Sequence, residues 1–223
     1  STLSPSSAAS DVYKRQVFMY NKASGSGGDG GAIFCDFGAP KLFNCVFVGN
    51  EAFEDGGSIH CHSTNLTVVN CSFGLNRTAG YGGAVYCEDN SRLTIQNCVL
   101  WNDIGSKDGD EIYAGSGCSV KIDYSCVANG ANDYGGSGTI DDSNNCIHQD
   151  PEFVCAEAGV LRLRHTSPCI DAGDSSLVPP DLRTDILGCP RIVGSAVDIG
   201  AYERQGVIYV DPVNGNDSND GLS

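Results

Sequence analysis

Cationic side chains are scarce in this chain. Its 223 residues hold 13 Lys and Arg against 28 Asp and Glu, a formal net charge of −15. Nucleic-acid binding draws on a basic stripe, and an anionic membrane surface favours the same sign, so the balance argues against both partners. No apolar run approaches the roughly 20 residues that a bilayer-spanning helix needs, and no transmembrane segment is expected. Apolar spacing of three to four, sustained over ten or more residues, is also missing, which argues against a helical solenoid. The chain has 12 cysteines but no Cys-x-x-Cys, so a structural zinc site is not expected.

What is present is a repeat. Asp29-Gly30-Gly31-Ala32-Ile33-Phe34-Cys35, Asp55-Gly56-Gly57-Ser58-Ile59-His60-Cys61 and Tyr81-Gly82-Gly83-Ala84-Val85-Tyr86-Cys87 follow one another at a step of 26 residues. Asn44-Cys45, Asn70-Cys71 and Asn97-Cys98 recur with it, and Ser125-Cys126 reads as a weaker copy. A second asparagine column runs through Asn21, Asn50, Asn76 and Asn102 to Asn129. Repeats of this length mark stacked folds in which each unit contacts its neighbours.

Within each copy the apolar residues alternate. Ile33 and Cys35 share a face, as do Leu66 and Val68, and Cys45 and Phe47. Period-two runs broken by Gly and Asn read as short strands, three per copy. The expectation is an all-β, right-handed parallel β-helix of about 26 residues per coil, with an irregular C-terminal cap. Asn at the bends fits its tolerance of left-handed backbone. Paired glycines fit corners where a Cβ would clash.

Gly-Gly-Ala-Ile together with Phe-x-x-Asn (Phe18 to Asn21, Phe47 to Asn50, Phe73 to Asn76) resembles the repeat pair of polymorphic outer-membrane proteins, which are surface adhesins. Residues 17–130 carry that resemblance. Further on, Asp150-Pro151-Glu152-Phe153, Ser167-Pro168-Cys169-Ile170-Asp171-Ala172-Gly173-Asp174 and Val197-Asp198-Ile199-Gly200-Ala201-Tyr202-Glu203 are similar to the choice-of-anchor Q module. That resemblance covers residues 146–206 and implies a terminal cap and surface display. Asp171 and Asp198, flanked by apolar residues, read as buried turn formers. Residues 131–145, rich in Gly, Asp, Asn and Ser, read as a loop.

The two ends call for separate readings. Ser6-Ser7-Ala8-Ala9-Ser10-Asp11-Val12-Tyr13-Lys14-Arg15-Gln16 is similar to the translation of a transposase sequencing adapter. Residues 1–16 are therefore expected to be foreign to the fold and disordered. Residues 207–223 resemble the opening of a further β-helix domain. Asp211, Asn214, Asn216, Asp217 and Asp220 within them offer oxygen ligands for calcium, although a hydrogen-bonded turn explains the same residues.

Two cysteine ladders follow from the repeat: Cys35, Cys61, Cys87, and Cys45, Cys71, Cys98, Cys126. Neighbouring Cβ atoms about 4.8 Å apart exceed the reach of a disulfide, about 3.5–4.5 Å. The ladders read as buried thiols packing as small hydrophobes. Among the remaining cysteines, Cys146–Cys155 and Cys169–Cys189 are the nearest choices for a bridge, with connectivity left open.

Catalytic signals are weak. Asp141-Asp142 is the single Asp-Asp pair, and the polygalacturonase phrases Asn-Thr-Asp, Gly-His-Gly and Arg-Ile-Lys are absent. His60, His62, His148 and His165 have no evident nucleophile partner. The best candidate for recognition is an outward column, Phe34, His60, Tyr86 and Tyr113. It would form a flat aromatic strip about 14 Å long at the usual strand spacing, and sugar rings stack on such strips. The reading is a monomeric, non-catalytic β-helix module, secreted or at the cell surface, acting as stalk, adhesin or contact for polysaccharide or host glycan. No cofactor is expected beyond the calcium reading. The alternative is a fragment of a carbohydrate-active β-helix enzyme.

Overall fold

The chain forms a parallel β-solenoid in the computed structural model, which describes residues 2–3 and 11–205. Sheet one stacks Ile33–Asp36, Ile59–His62, Val85–Glu88, Ile112–Ala114 and Tyr134–Gly136, with Thr2–Leu3 at its edge. Sheet two stacks Val12–Lys14, Lys41–Phe43, Asn65–Val69, Arg92–Gln96, Ser119–Asp123 and Thr139–Asn144. Sheet three stacks Val17–Met19, Val46–Val48, Ser72–Gly74, Val99–Trp101 and Cys126–Val127. A fourth sheet, not expected from the alternation, joins the two-residue strands Lys22–Ala23, Glu51–Ala52, Arg77–Thr78 and Ile104–Gly105. Two residues are too few to show a period, so these strands leave no pattern to read.

Coils stack in register. Phe34 lies on His60, His60 on Tyr86, and Tyr86 on Tyr113, at steps of 26, 26 and 27 residues. The lumen is apolar: Ile33, Ile59, Val85 and Ile112 from sheet one meet Leu66, Val68, Leu93 and Ile95 from sheet two. Phe18, Phe47 and Phe73 stack along the axis with ring centroids 4.7 and 4.6 Å apart. Asn44, Asn70 and Asn97 take left-handed backbone at φ of 50°, 51° and 51°, the conformation asparagine tolerates best after glycine. The glycine pair divides its work. Gly56 supplies a positive φ of 69°, and a Cβ on Gly57 would lie 2.1 Å from the carbonyl oxygen of Gly83 one coil on.

The asparagine ladder departs from its expected course. Asn21 and Asn50, then Asn50 and Asn76, join side chain to side chain at 2.8 Å. The next rung is Asp103, whose Oδ1 accepts from Asn76 Nδ2 at 2.8 Å and from Asn76 N at 2.7 Å. Asn102, the expected rung, instead sits at a bend with φ of 63°. The step to the last full coil is one residue longer, which moves the ladder position on by one.

The cysteine ladder ends by the opposite slip: the coil step stays at 27 residues, and Cys126 stands 28 after Cys98. Cys45 N donates to Cys71 Sγ, Cys71 N to Cys98 Sγ, and Cys98 N to Ser125 Oγ. Cys126 pairs in register with Val99 and so faces outward, because a shift of one residue turns a strand position to the other face. It meets Cys169 there. All 12 cysteines are free thiols, so neither Cys146–Cys155 nor Cys169–Cys189 is bridged.

Some of the residues read as outside the fold or as loop belong to the stack. Val12–Lys14 pairs in parallel with Lys41–Phe43; an unpaired strand edge accepts extended backbone of almost any sequence. Tyr134–Gly136 and Thr139–Asn144 continue sheets one and two. At this last coil the lumen columns turn polar. Tyr134 donates its hydroxyl to Asp142 Oδ2 at 3.0 Å, and His148 Nε2 lies 3.5 Å from the same oxygen.

The C-terminal segment does not sit over that end. It runs back along the side of the stack and covers the outer face of sheet three. Val46, Val48, Val99 and Cys126 cluster there with Phe153, Leu161, Cys169 and Ile199. Asn97 clamps the segment through Nδ2 to Asp174 O and through Oδ1 from Asp174 N, at 2.9 and 2.8 Å. Ala201 N donates to Ser72 Oγ at 2.9 Å. The outer column of sheet three is small and apolar, so burying it is favourable. Asp171 and Asp198 serve the turns, but only Asp198 is buried, whereas Asp171 is exposed: Asp198 Oδ1 accepts from Asp171 N, and Asp171 Oδ1 from Ser195 N and Ala196 N. Arg191 is buried and paired with Glu203 at 3.1 Å.

Candidate functional site

Sheet one keeps its outer face free of the C-terminal segment, and the four residues singled out for recognition project from it in one column. Their register is as expected, but the strip is not flat. Phe34 and His60 are tilted by 54°, His60 and Tyr86 by 68°, and Tyr86 and Tyr113 by 17°. His60 does not present a ring face. Its side chain is 4% exposed, with Nε2 2.9 Å from Glu88 Oε1 and Nδ1 3.4 Å from Asp29 Oδ1. Two carboxylates turn the imidazole edgewise, which removes it from any stacking surface.

The aromatic surface is re-formed by Tyr81, which the column reading missed. It occupies the place that Asp29 and Asp55 hold in the other copies, and that substitution was the available signal. Its ring lies 4.6 Å from Tyr113 and 6.5 Å from Tyr86. Lys107 Nζ stands 4.9 Å from the Tyr81 centroid, within cation–π range. Three half-buried tyrosines thus form one patch.

Carboxylates frame this patch. Asp29 Oδ1 accepts from Asp55 N, and Asp55 Oδ1 from Tyr81 N, at 3.0 and 2.7 Å. Glu88 Oε2 is 3.4 Å from the Tyr86 hydroxyl. Burial pushes the Asp55 carboxyl up, and Asp29 beside it adds to the rise. Burial and the neighbouring Glu88 likewise raise the Tyr86 phenol, so it stays protonated. One column over, His62 bridges Asp36 at 2.7 Å and Asp89 at 2.8 Å. The hydrogen bond that His62 donates to Asp36 lifts its pKa, with Asp89 assisting.

This arrangement offers ring faces for the C–H surface of a sugar and carboxylate oxygens for its hydroxyls. Both nitrogens of His60 face carboxylates, which leaves neither turned toward a ligand as a base. The calcium ligands expected at Asp211, Asn214, Asn216, Asp217 and Asp220 lie outside the described residues. Among the described residues, no group of three or more His, Cys, Asp or Glu is placed to hold a metal ion. No helix there is long and apolar enough to cross a membrane. No protein-family model, curated protein or solved structure matches the chain.

Proposed function

We propose that this chain is a non-catalytic β-helix module of a secreted or cell-surface protein, and that it holds a neutral glycan against the outer face of sheet one. The observation that carries the reading is the Tyr81, Tyr86 and Tyr113 patch framed by Asp29, Asp55 and Glu88. Surplus carboxylate at the patch disfavours acidic polysaccharides. The stacked coils suit a stalk or adhesin, because each rung fixes the next. The Gly-Gly-Ala-Ile repeats and choice-of-anchor Q-like phrases point to the same surface setting by resemblance.

The test is retention on a glycan array. Wild-type protein should retain neutral glycans, and Tyr86→Ala should abolish retention. Equal retention by Tyr86→Ala would sink the proposal. The second reading is a fragment of a carbohydrate-active enzyme, and it requires release of new sugar ends from a polysaccharide by the intact chain.

A further inference from the structure

Sheet three carries a second concave site, where the C-terminal segment leaves its face incompletely covered. The strand Val99–Trp101 ends there against the antiparallel hairpin of Phe153–Cys155 and Val160–Leu163. Gly74, one coil below Trp101, makes room for Leu161: a Cβ there would meet a leucine methyl at 3.1 Å. The hairpin is thereby seated beside the indole. Between them lies a cleft of about 250 Å³ lined by Trp101, Asn102, Asp150, Glu152, Phe153 and Arg164.

We infer that this cleft binds a single ring of a neutral pyranoside, as a site separate from the tyrosine patch. Trp101 is half-buried and is the single tryptophan of the chain. An indole gives a broad face for the axial C–H groups of a sugar ring. The polar groups are pre-set. Glu152 takes left-handed backbone at φ of 52°. It is held by its N–H to Asp150 Oδ1 at 2.8 Å, while its Oε2 accepts from Thr166 Oγ1. One oxygen of each carboxylate stays free for vicinal hydroxyls. The Arg164 guanidinium donates Nε and Nη2 to the carbonyls of Phe153 and Val154, at 3.1 and 3.2 Å. Two carboxylates against one cation leave the cleft with surplus negative charge, which favours a neutral sugar over an acidic one. Fixed groups of this kind lose little freedom when a ligand arrives.

Because the chain has one tryptophan, its emission reports on this cleft alone. The intact chain is titrated with methyl glucoside, methyl galactoside, methyl mannoside and methyl glucuronoside. The expected result is a saturable change in emission with at least one neutral glycoside in the millimolar range, and weaker binding of the glucuronoside. Asp150→Asn and Glu152→Gln should each weaken it about tenfold, the loss of one hydrogen bond to a charged group. Asp150 is exposed, so its variant keeps the test alive if Glu152→Gln disturbs the hairpin. Tyr86→Ala should titrate like wild type, which separates this site from the sheet-one proposal. No saturable change with any neutral glycoside, unchanged binding by Asp150→Asn, or tighter binding of the glucuronoside would overturn the inference.

Discussion

Asp103 is an acid in a place built for an amide, and Asp103→Asn tests what that costs. In the coils below it, an asparagine Oδ1 accepts two bonds and its Nδ2 donates, as Asn76 Nδ2 does to Phe47 O at 3.1 Å. Asp103 Oδ1 keeps the acceptor role, so Oδ2 takes the position of the amide nitrogen. That oxygen is buried without a partner, as is Oε2 of Glu111, whose Oε1 receives Asp103 N at 3.3 Å. Burial raises Asp103 from its ordinary 3.8 to about 7, and burial beside Asp103 raises Glu111 as well. An acid raised by folding binds its proton more tightly in the folded state. The Asp103 contribution to stability is therefore full below about pH 4 and is lost as pH rises through about 7. The rise from 3.8 to about 7, at about 1.4 kcal/mol per pH unit, caps the penalty at about 4 kcal/mol. Glu111 shares the proton, so about 2 kcal/mol is the expected gain for Asp103→Asn at pH 8. Less than half of that gain is expected at pH 5, where the folded acid keeps its proton while the unfolded one has largely lost it. Urea midpoints of both proteins at the two pH values measure it. A variant less stable than wild type at pH 8, or equal effects at pH 5 and pH 8, would refute the reasoning.

Phe47→Ala removes the middle ring of the axial stack and should cost about 3–5 kcal/mol in urea unfolding. Gly57→Ala should prevent the coils from closing, because its methyl has a backbone oxygen rather than a yielding side chain opposite; circular dichroism would show the loss of strand signal. A thiol reagent should label exposed Cys155 first and half-buried Cys146 and Cys189 more slowly, while the buried cysteines react only on unfolding, as mass spectrometry of peptides would report. His62 gains its raised pKa from Asp36 and Asp89, so its contribution is full below its unfolded value and is lost as pH rises through the folded one. Asp36→Asn should flatten that loss in thermal melts across neutral pH.

The repeat was legible because a parallel stack turns sequence period into spatial column. Ile59, Leu66 and Phe47 could be placed in the lumen from alternation alone, and the structure puts them there. Alternation fails where a coil changes length. One added residue moved the ladder from Asn102 to Asp103, and Cys126, one residue beyond the 27-residue step from Cys98, turned to the outer face, although both motifs still align by eye. It also says nothing about which way a side chain leans once outside. His60 belonged to the right column, yet Asp29 and Glu88, from the chain ahead of one strand and from the end of another, took it out of the aromatic surface. Tyr81 entered that surface from a position that the repeat assigned to aspartate.

The course of the C-terminal segment follows from the outer columns taken together. Sheet three presents Val46, Ser72, Val99 and Cys126 in one column and Val48 and Gly74 in the next. These are small or apolar, and Gly74 leaves a recess for Leu161. Sheet one presents Phe34, His60, Tyr86 and Tyr113, with Asp36, His62 and Glu88 beside them. Covering that second set would bury carboxylates and imidazoles at high cost, whereas covering the first removes apolar area from water. The same step along the chain thus generates one face that its own segment must occupy and one that it must leave open. At the end of the stack Tyr134 and His148 both meet Asp142, beside the partly buried Ile140 and Cys146. The open face of sheet one is therefore a consequence of where the chain places its apolar columns, and the cleft at Trp101 lies where that covering stops.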